Sequence, residues 1–178
     1  MVCASFVLLT GGPGGGKTTL VEHLAGRGYA TSAEAGRAII RDQALVGGPL
    51  RADPVAFAET ILTWELRAYR EASGLTFFDR GVPDVVASYL LLDRPVPDHV
   101  LRAAEVCRYA PVAFAAPPWR EVYVNDADRT QTWDEAVRTY EACVAAYERC
   151  GYELVALPFA PVGERAAFVL GRVSPPSP

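Results

Sequence analysis

Thr10-Gly11-Gly12-Pro13-Gly14-Gly15-Gly16-Lys17-Thr18-Thr19 is the stretch that decides how this chain is read. It fits G-x-x-x-x-G-K-S/T from Gly11 to Thr18, a pattern that acquires meaning from its surroundings. Before it, Phe6-Val7-Leu8-Leu9 is an apolar run of strand type. After it, Thr19-Leu20-Val21-Glu22-His23-Leu24-Ala25 reads as an amphipathic helix. Strand, glycine loop and helix are the setting the motif requires. In that setting the backbone N–H groups of Gly12, Gly14, Gly15, Gly16, Lys17, Thr18 and Thr19 turn toward phosphate oxygens, helped by the helix N-terminus. Lys17 then reaches the β- and γ-phosphates and the Thr18 hydroxyl ligates Mg²⁺. Lys17 is also the only lysine in the chain; the other sixteen long bases are arginine. A glycine-rich turn without a ligand is the weaker reading. The motif implies a nucleoside triphosphate, with ATP and Mg²⁺ as the expected pair.

Composition narrows the class. The chain has 178 residues, half of them apolar and a fifth charged, which suits one globular domain with a full core. Its formal charge of −4 argues against a general nucleic-acid binder. Cys3, Cys107, Cys143 and Cys150 form no C-x-x-C pair and no zinc spacing with His23 or His99. Reduced thiols and a cytoplasmic location are expected. No apolar run approaches ~18 residues, so no membrane span is expected.

Taken in order, the chain alternates strands and helices. Strands are expected at about 5–10, 29–32, 75–79, 111–115 and 152–157. Helices are expected to about Gly26, from Ala35 toward Gly47, from Pro54 to about Ser73, at Val82–Leu92, Pro97–Tyr109, Trp133–Cys150 and Val162–Leu170. In the Pro54 helix, Phe57, Ile61, Trp64, Leu66 and Tyr69 lie near helical spacing and read as its inward face. Leu75-Thr76-Phe77-Phe78 is apolar throughout, as a strand buried on both faces must be. The pattern predicts an α/β domain over 1–173: a three-layer fold with a five-stranded parallel sheet and helices on both faces. A lid is expected at about 119–133 and a flexible tail at 174–178.

Ligands of such sheets bind beyond the carboxyl ends of the strands. Asp79 ends the third strand, where a carboxylate holds Mg²⁺ or accepts a proton from an attacking hydroxyl; a loop-capping aspartate is the alternative. Arg80 beside it offers a planar fork for an acceptor, or else an outward ion pair. Glu34 and Arg37 follow the second strand, with acceptor binding and a plain helix-start carboxylate equally weighted. Arg129, flanked by Asp126 and Asp128, reads as a lid arginine that stabilises transferring charge, against a solvated loop. Trp119 lines a pocket or anchors a loop. The histidines carry no assigned role.

These pieces together resemble the small P-loop kinase-like proteins often labelled as an AAA domain, a group that includes the ribosylnicotinamide kinase part of the bacterial NAD-synthesis regulator. The matching residues are Gly11–Leu20, Glu34-Ala35-Gly36-Arg37, Phe77–Asp84, Pro117-Pro118-Trp119, Asp126–Arg129 and Gly151–Pro158. The resemblance implies a nucleoside/nucleotide-kinase-like core, Mg-ATP as donor, a lid carrying Arg129, and an acceptor near Glu34, Arg37 and Arg80. The chain departs from AAA+ motors: Asp79 is followed by Arg-Gly rather than a second acid, and no separate C-terminal helical domain is expected in this sequence.

The expected function is transfer of the γ-phosphate of Mg-ATP to a hydroxyl of a small, nucleoside-like acceptor. Lys17, Asp79 and Arg129 are its catalytic candidates, with Glu34 as an alternative base. An NTP hydrolase and a nucleotide-gated switch whose 47–49 and 119–133 segments carry a partner site are the competing readings.

Overall fold

The computed structural model describes residues 5–48, 53–121 and 132–173. Five strands, β1 (Phe6–Gly11), β2 (Ala30–Ser32), β3 (Thr76–Asp79), β4 (Val112–Ala116) and β5 (Glu153–Ala156), form one sheet in the order β2-β3-β1-β4-β5. Every pairing is parallel. Seven helices are described: α1 (Lys17–Gly26), α2 (Ala35–Val46), α3 (Pro54–Glu71), α4 (Val82–Leu91), α5 (Asp98–Val106), α6 (Trp133–Arg149) and α7 (Val162–Leu170). The predicted α/β architecture is the observed one.

The apolar runs of the central strands have a direct physical cause. Successive side chains of a strand point to opposite faces. Phe6 and Leu8 of β1, with Phe78 of β3, therefore enter a core built with α3, α4, α5 and α6. Val7, Leu9 and Phe77 enter a second core with α1 and α7. Both faces are covered, so nothing polar is tolerated between Phe6 and Leu9, all of which are buried. Strands β2 and β5 sit at the edges and are partly exposed.

Two expectations shift on inspection. α5 ends at Val106 rather than Tyr109, because Tyr109 drops into the core against Tyr69 and Phe78, with ring centroids 5.1 and 5.2 Å away. The fully buried line of α3 is Ala58, Leu62 and Glu65; of the expected residues, Ile61, Leu66 and Tyr69 flank it, partly buried against the same core, and Trp64 is half-buried. Asp53 caps α3 as its side chain accepts from the amides of Val55 and Ala56, with Pro54 first in the helix. Pro49 of the Gly47-Gly48-Pro49 turn, most of the expected lid and the tail lie outside the described residues.

Candidate functional site

The site forms where the chain leaves β1, the central strand, with crossovers departing to either side. Gly11 has a φ of 124° and approaches β4 so closely that a Cβ there would strike the Ala116 carbonyl. Gly16, with φ 71°, is the N-cap of α1. Between them the loop curls under Lys17, which is 5 % exposed and donates through Nζ to the Gly12 carbonyl at 2.7 Å. Burial, then the Arg80 guanidinium, push the Lys17 ammonium below its ordinary pKa, while Asp79 and Glu34 oppose the shift.

β3 brings Asp79 alongside. The Thr18 hydroxyl donates to Asp79 Oδ2 at 3.0 Å, and Asp79 Oδ1 is buried with no hydrogen-bond partner among the described residues. Burial raises the Asp79 pKa, with Lys17 the chief opposing charge. These two oxygen-bearing side chains fit a hard divalent cation, which takes one or two carboxylates and completes its shell with phosphate oxygens and water.

Arg80 follows in the left-handed region, φ 79°, unusual for a residue with a side chain. Its amide donates to the Leu9 carbonyl at 2.9 Å, so the turn hangs on β1. Such a conformation costs on the order of 1–3 kcal/mol and persists where the surroundings enforce it. Here it places the guanidinium between Glu34 Oε1 (3.3 Å) and Asp84 Oδ1 (2.9 Å). Glu34 is the N-cap of α2, and its Oε2 lies 3.3 Å from Arg37 Nε. Burial alone would raise the Glu34 carboxyl, but Arg80, Lys17 and Arg37 outweigh it and hold it below its usual range.

Asp84 has no role in the sequence reading, yet the site is tied together through it. Its Oδ1 accepts from Thr10 Oγ1 (2.7 Å) and Arg80; its Oδ2 accepts from the Gly81 amide (3.0 Å) and the Tyr147 hydroxyl (2.7 Å). The local signal was an acid in the first turn of a helix that Pro83 helps to start. Arg165 was missed as well. From α7 it reaches behind the phosphate loop, donating to Gly15 O (2.8 Å) and more weakly to Gly16 O (3.4 Å), and is 4 % exposed. Its guanidinium also lies 5.9 Å from the Trp119 ring centre, and Trp119 packs on Phe159 at 5.4 Å.

The structure thus brings together Lys17, Thr18, Asp79, Glu34, Arg37 and Arg80. Arg129, Asp126 and Asp128 lie outside the described residues. Arg120, at the start of the expected lid, stacks over Trp133 at its end, 5.0 Å from the ring centre. His99 pairs with Glu59 at 2.9 Å on the surface, away from this cluster.

A family model described as AAA domain matches residues 6–165, and the chain belongs to that family. Among solved structures it is similar to NadR protein in complex with NR, at 16% identity and a TM-score of 0.67, covering 95% of this chain and 50% of that one. It thus spans half the length of the NadR chain. It is similar also to thymidylate kinase from Ehrlichia chaffeensis (12% identity, TM-score 0.64, 95% and 98% covered). Deoxyadenosine kinase from M.mycoides is a further likeness (10% identity, TM-score 0.63, 94% and 97% covered). At these identities the likeness is one of fold, a P-loop kinase-like fold. No curated protein matches the sequence.

Proposed function

We propose that the protein is a small-molecule kinase, moving the γ-phosphate of Mg-ATP to a hydroxyl of a small acceptor. The observation that carries this reading is the placement of Arg80. A strained backbone turns its guanidinium onto Glu34 beside Lys17, so an ion-pair cluster faces the phosphate loop.

In this reading the loop amides and Lys17 bind the β- and γ-phosphates, with Arg165 fixing the loop from behind. Thr18 and Asp79 hold Mg²⁺, which supplies neutralisation of the charge that builds on the phosphate oxygens. Glu34 accepts a hydrogen bond from the acceptor hydroxyl and orients it; the hydroxyl proton passes to the transferred phosphoryl oxygens as the new O–P bond forms and ADP leaves. The lowered pKa of Glu34 suits a carboxylate that orients the hydroxyl in its ionised form. Arg80 and Arg37 hold that carboxylate in place, and Arg129 closes over the transferring group from the lid. Trp119 and Phe159 offer an aromatic surface for the nucleotide base.

The test is ADP release from Mg-ATP with and without a panel of nucleosides, vitamins and polyols. Stimulation by one compound, abolished in Lys17→Ala and strongly reduced in Glu34→Gln, is the expected result. Slow turnover indifferent to every compound would reject the kinase reading in favour of a hydrolase or switch.

A further inference from the structure

Arg80 is held unequally by its two carboxylates. Its Nη1 lies 2.9 Å from Asp84 Oδ1, the separation of a full-strength charge-assisted hydrogen bond, whereas its Nε lies 3.3 Å from Glu34 Oε1. The guanidinium is therefore anchored on Asp84 and only rests against Glu34. Where it stands beside Glu34 is decided by where Asp84 stands.

Asp84 is in turn fixed from three elements. The Thr10 hydroxyl of β1 donates to Oδ1 at 2.7 Å, and the Tyr147 hydroxyl of α6 donates to Oδ2 at 2.7 Å. The Gly81 amide, at the start of α4, adds a bond to Oδ2 at 3.0 Å. Both hydroxyls sit at the preferred O–H···O separation. Thr10 and Tyr147 are wholly buried and Asp84 nearly so, which keeps water from competing for these contacts. The Cys143 thiol, one turn before Tyr147 on the same face of α6, closes a further side, 3.6 Å from Asp84 Oδ1 and 3.8 Å from Arg80 Nη1.

Such a cluster is a poor way to gain stability. Taking a guanidinium, a carboxylate and two hydroxyls out of water costs much of what their mutual bonds return, and apolar residues of similar volume often serve a core as well. What the cluster supplies is direction, a positive charge with one allowed position. Direction matters here because Arg80 stands between anions with different duties in the kinase reading. Glu34 is on the acceptor side, and Asp79, its chain neighbour, is at the cation position. A guanidinium released from Asp84 would be free to pair with Asp79, or to close fully on Glu34 and occupy the oxygens that an acceptor hydroxyl needs.

We propose, building on the kinase reading, that Tyr147 and Thr10 are positioning residues for phosphoryl transfer. Acting through Asp84, they hold Arg80 where it steadies Glu34 and leaves that carboxylate open to the acceptor hydroxyl. Tyr147 acts at a distance, through the Asp84 and Arg80 side chains.

The test is steady-state ADP release from Mg-ATP by the full chain, measured in water and with each of a panel of nucleosides, vitamins and polyols. Tyr147→Phe removes one hydroxyl and keeps the ring that packs on Tyr152. It is expected to lower kcat roughly 5- to 50-fold, the scale of a misplaced group at a site, and to leave the KM for ATP within about twofold. Thr10→Val should act in the same direction, and Thr10→Ser, which keeps the hydroxyl, should retain most of the activity. The deciding readout combines Tyr147→Phe with Glu34→Gln. If Tyr147 acts through Glu34, its loss costs the Glu34→Gln protein less than about twofold more, whereas a merely structural contribution multiplies. Unchanged kcat in Tyr147→Phe would overturn the assignment, as would a loss confined to the KM for ATP, multiplying losses, or a Thr10→Ser protein as impaired as Thr10→Val. Turnover indifferent to every compound yet coupled to Tyr147 through Glu34 would uphold it and reject the kinase reading. Compound-stimulated turnover identical in the parent and Tyr147→Phe would do the reverse. No ADP release in any condition would overturn both.

Discussion

The Thr18 hydroxyl donates to Asp79 Oδ2 at 3.0 Å, joining the first turn of α1 to the last residue of β3 across sixty-one positions of sequence. The other Asp79 oxygen is buried and has no hydrogen-bond partner among the described residues. Two strands that neighbour in the sheet, β1 and β3, produce this meeting, and the kinase reading assigns it to a cation beside the phosphate loop.

Asp79→Asn and Thr18→Val are expected to reduce ADP affinity about tenfold or more when Mg²⁺ is present, and to leave affinity in excess chelator unchanged. Fluorescence titration with and without EDTA measures both. An equal loss under the two conditions would mean that the pair supports the loop rather than the metal.

Arg165 donates to the carbonyls of Gly15 and Gly16 and so fixes the loop that the kinase reading assigns to phosphate. Hydrogen bonds from a charged donor contribute about 1.5–3 kcal/mol. Arg165→Ala should therefore raise the nucleotide Kd by roughly tenfold or more, with Arg165→Lys recovering part of it. The acceptor KM should not move. A loss confined to thermal stability, with nucleotide affinity intact, would remove Arg165 from the binding machinery.

Asp84 is the acceptor for Thr10, Arg80, Gly81 and Tyr147, and it is 5 % exposed. Asp84→Ala removes one of the two carboxylates paired with Arg80, which keeps Glu34, and takes a buried acceptor from the Thr10 and Tyr147 hydroxyls, at a cost of about 3 kcal/mol. A melting temperature lower by on the order of 10 °C is expected. A shift within about 2 °C would show that Arg80 and Tyr147 find other partners.

Glu65 makes stability depend on pH in an unusual direction. Its folded-state pKa is raised, so between the unfolded value near 4.5 and the folded one the native state holds a proton that the unfolded chain has lost. Across that window stability falls as pH rises, by about 1.4 kcal/mol per pH unit. Glu65→Gln removes this dependence. The melting temperature of the variant relative to the parent should therefore climb from pH 4 upward and flatten once the folded pKa is passed. A difference that stays constant with pH would mean that Glu65 is ionised in the fold.

Much of the architecture was legible before any coordinates because its causes are local. A strand covered on both faces needs an unbroken apolar run, and Phe6–Leu9 and Phe77-Phe78 have one. The loop between Gly11 and Lys17 declares itself through glycines whose positive φ and lack of a Cβ are demanded within a few residues. Asp79, Glu34 and Arg80 were found by the rule that strand ends face ligands, and their contacts with Thr18 and with one another followed. In α3, Ile61, Leu66 and Tyr69 pack on the core, while the burial of Glu65 had no signal in the sequence, since a glutamate looks like a surface residue.

What sequence alone determined, then, was the strand–loop–helix start, the alternation of elements, and the residues that each strand end presents. Tertiary structure decided which distant groups complete them. Arg165 reaches the loop from about 150 positions away, and Tyr147 meets Asp84 across 63. Those pairings depend on β1 lying at the centre of the sheet, with α6 and α7 returning over opposite faces. No short-range pattern encodes such a meeting, because an arginine on a helix looks the same whether it faces water or a carbonyl. Only the packing that removes water from around it sets its role.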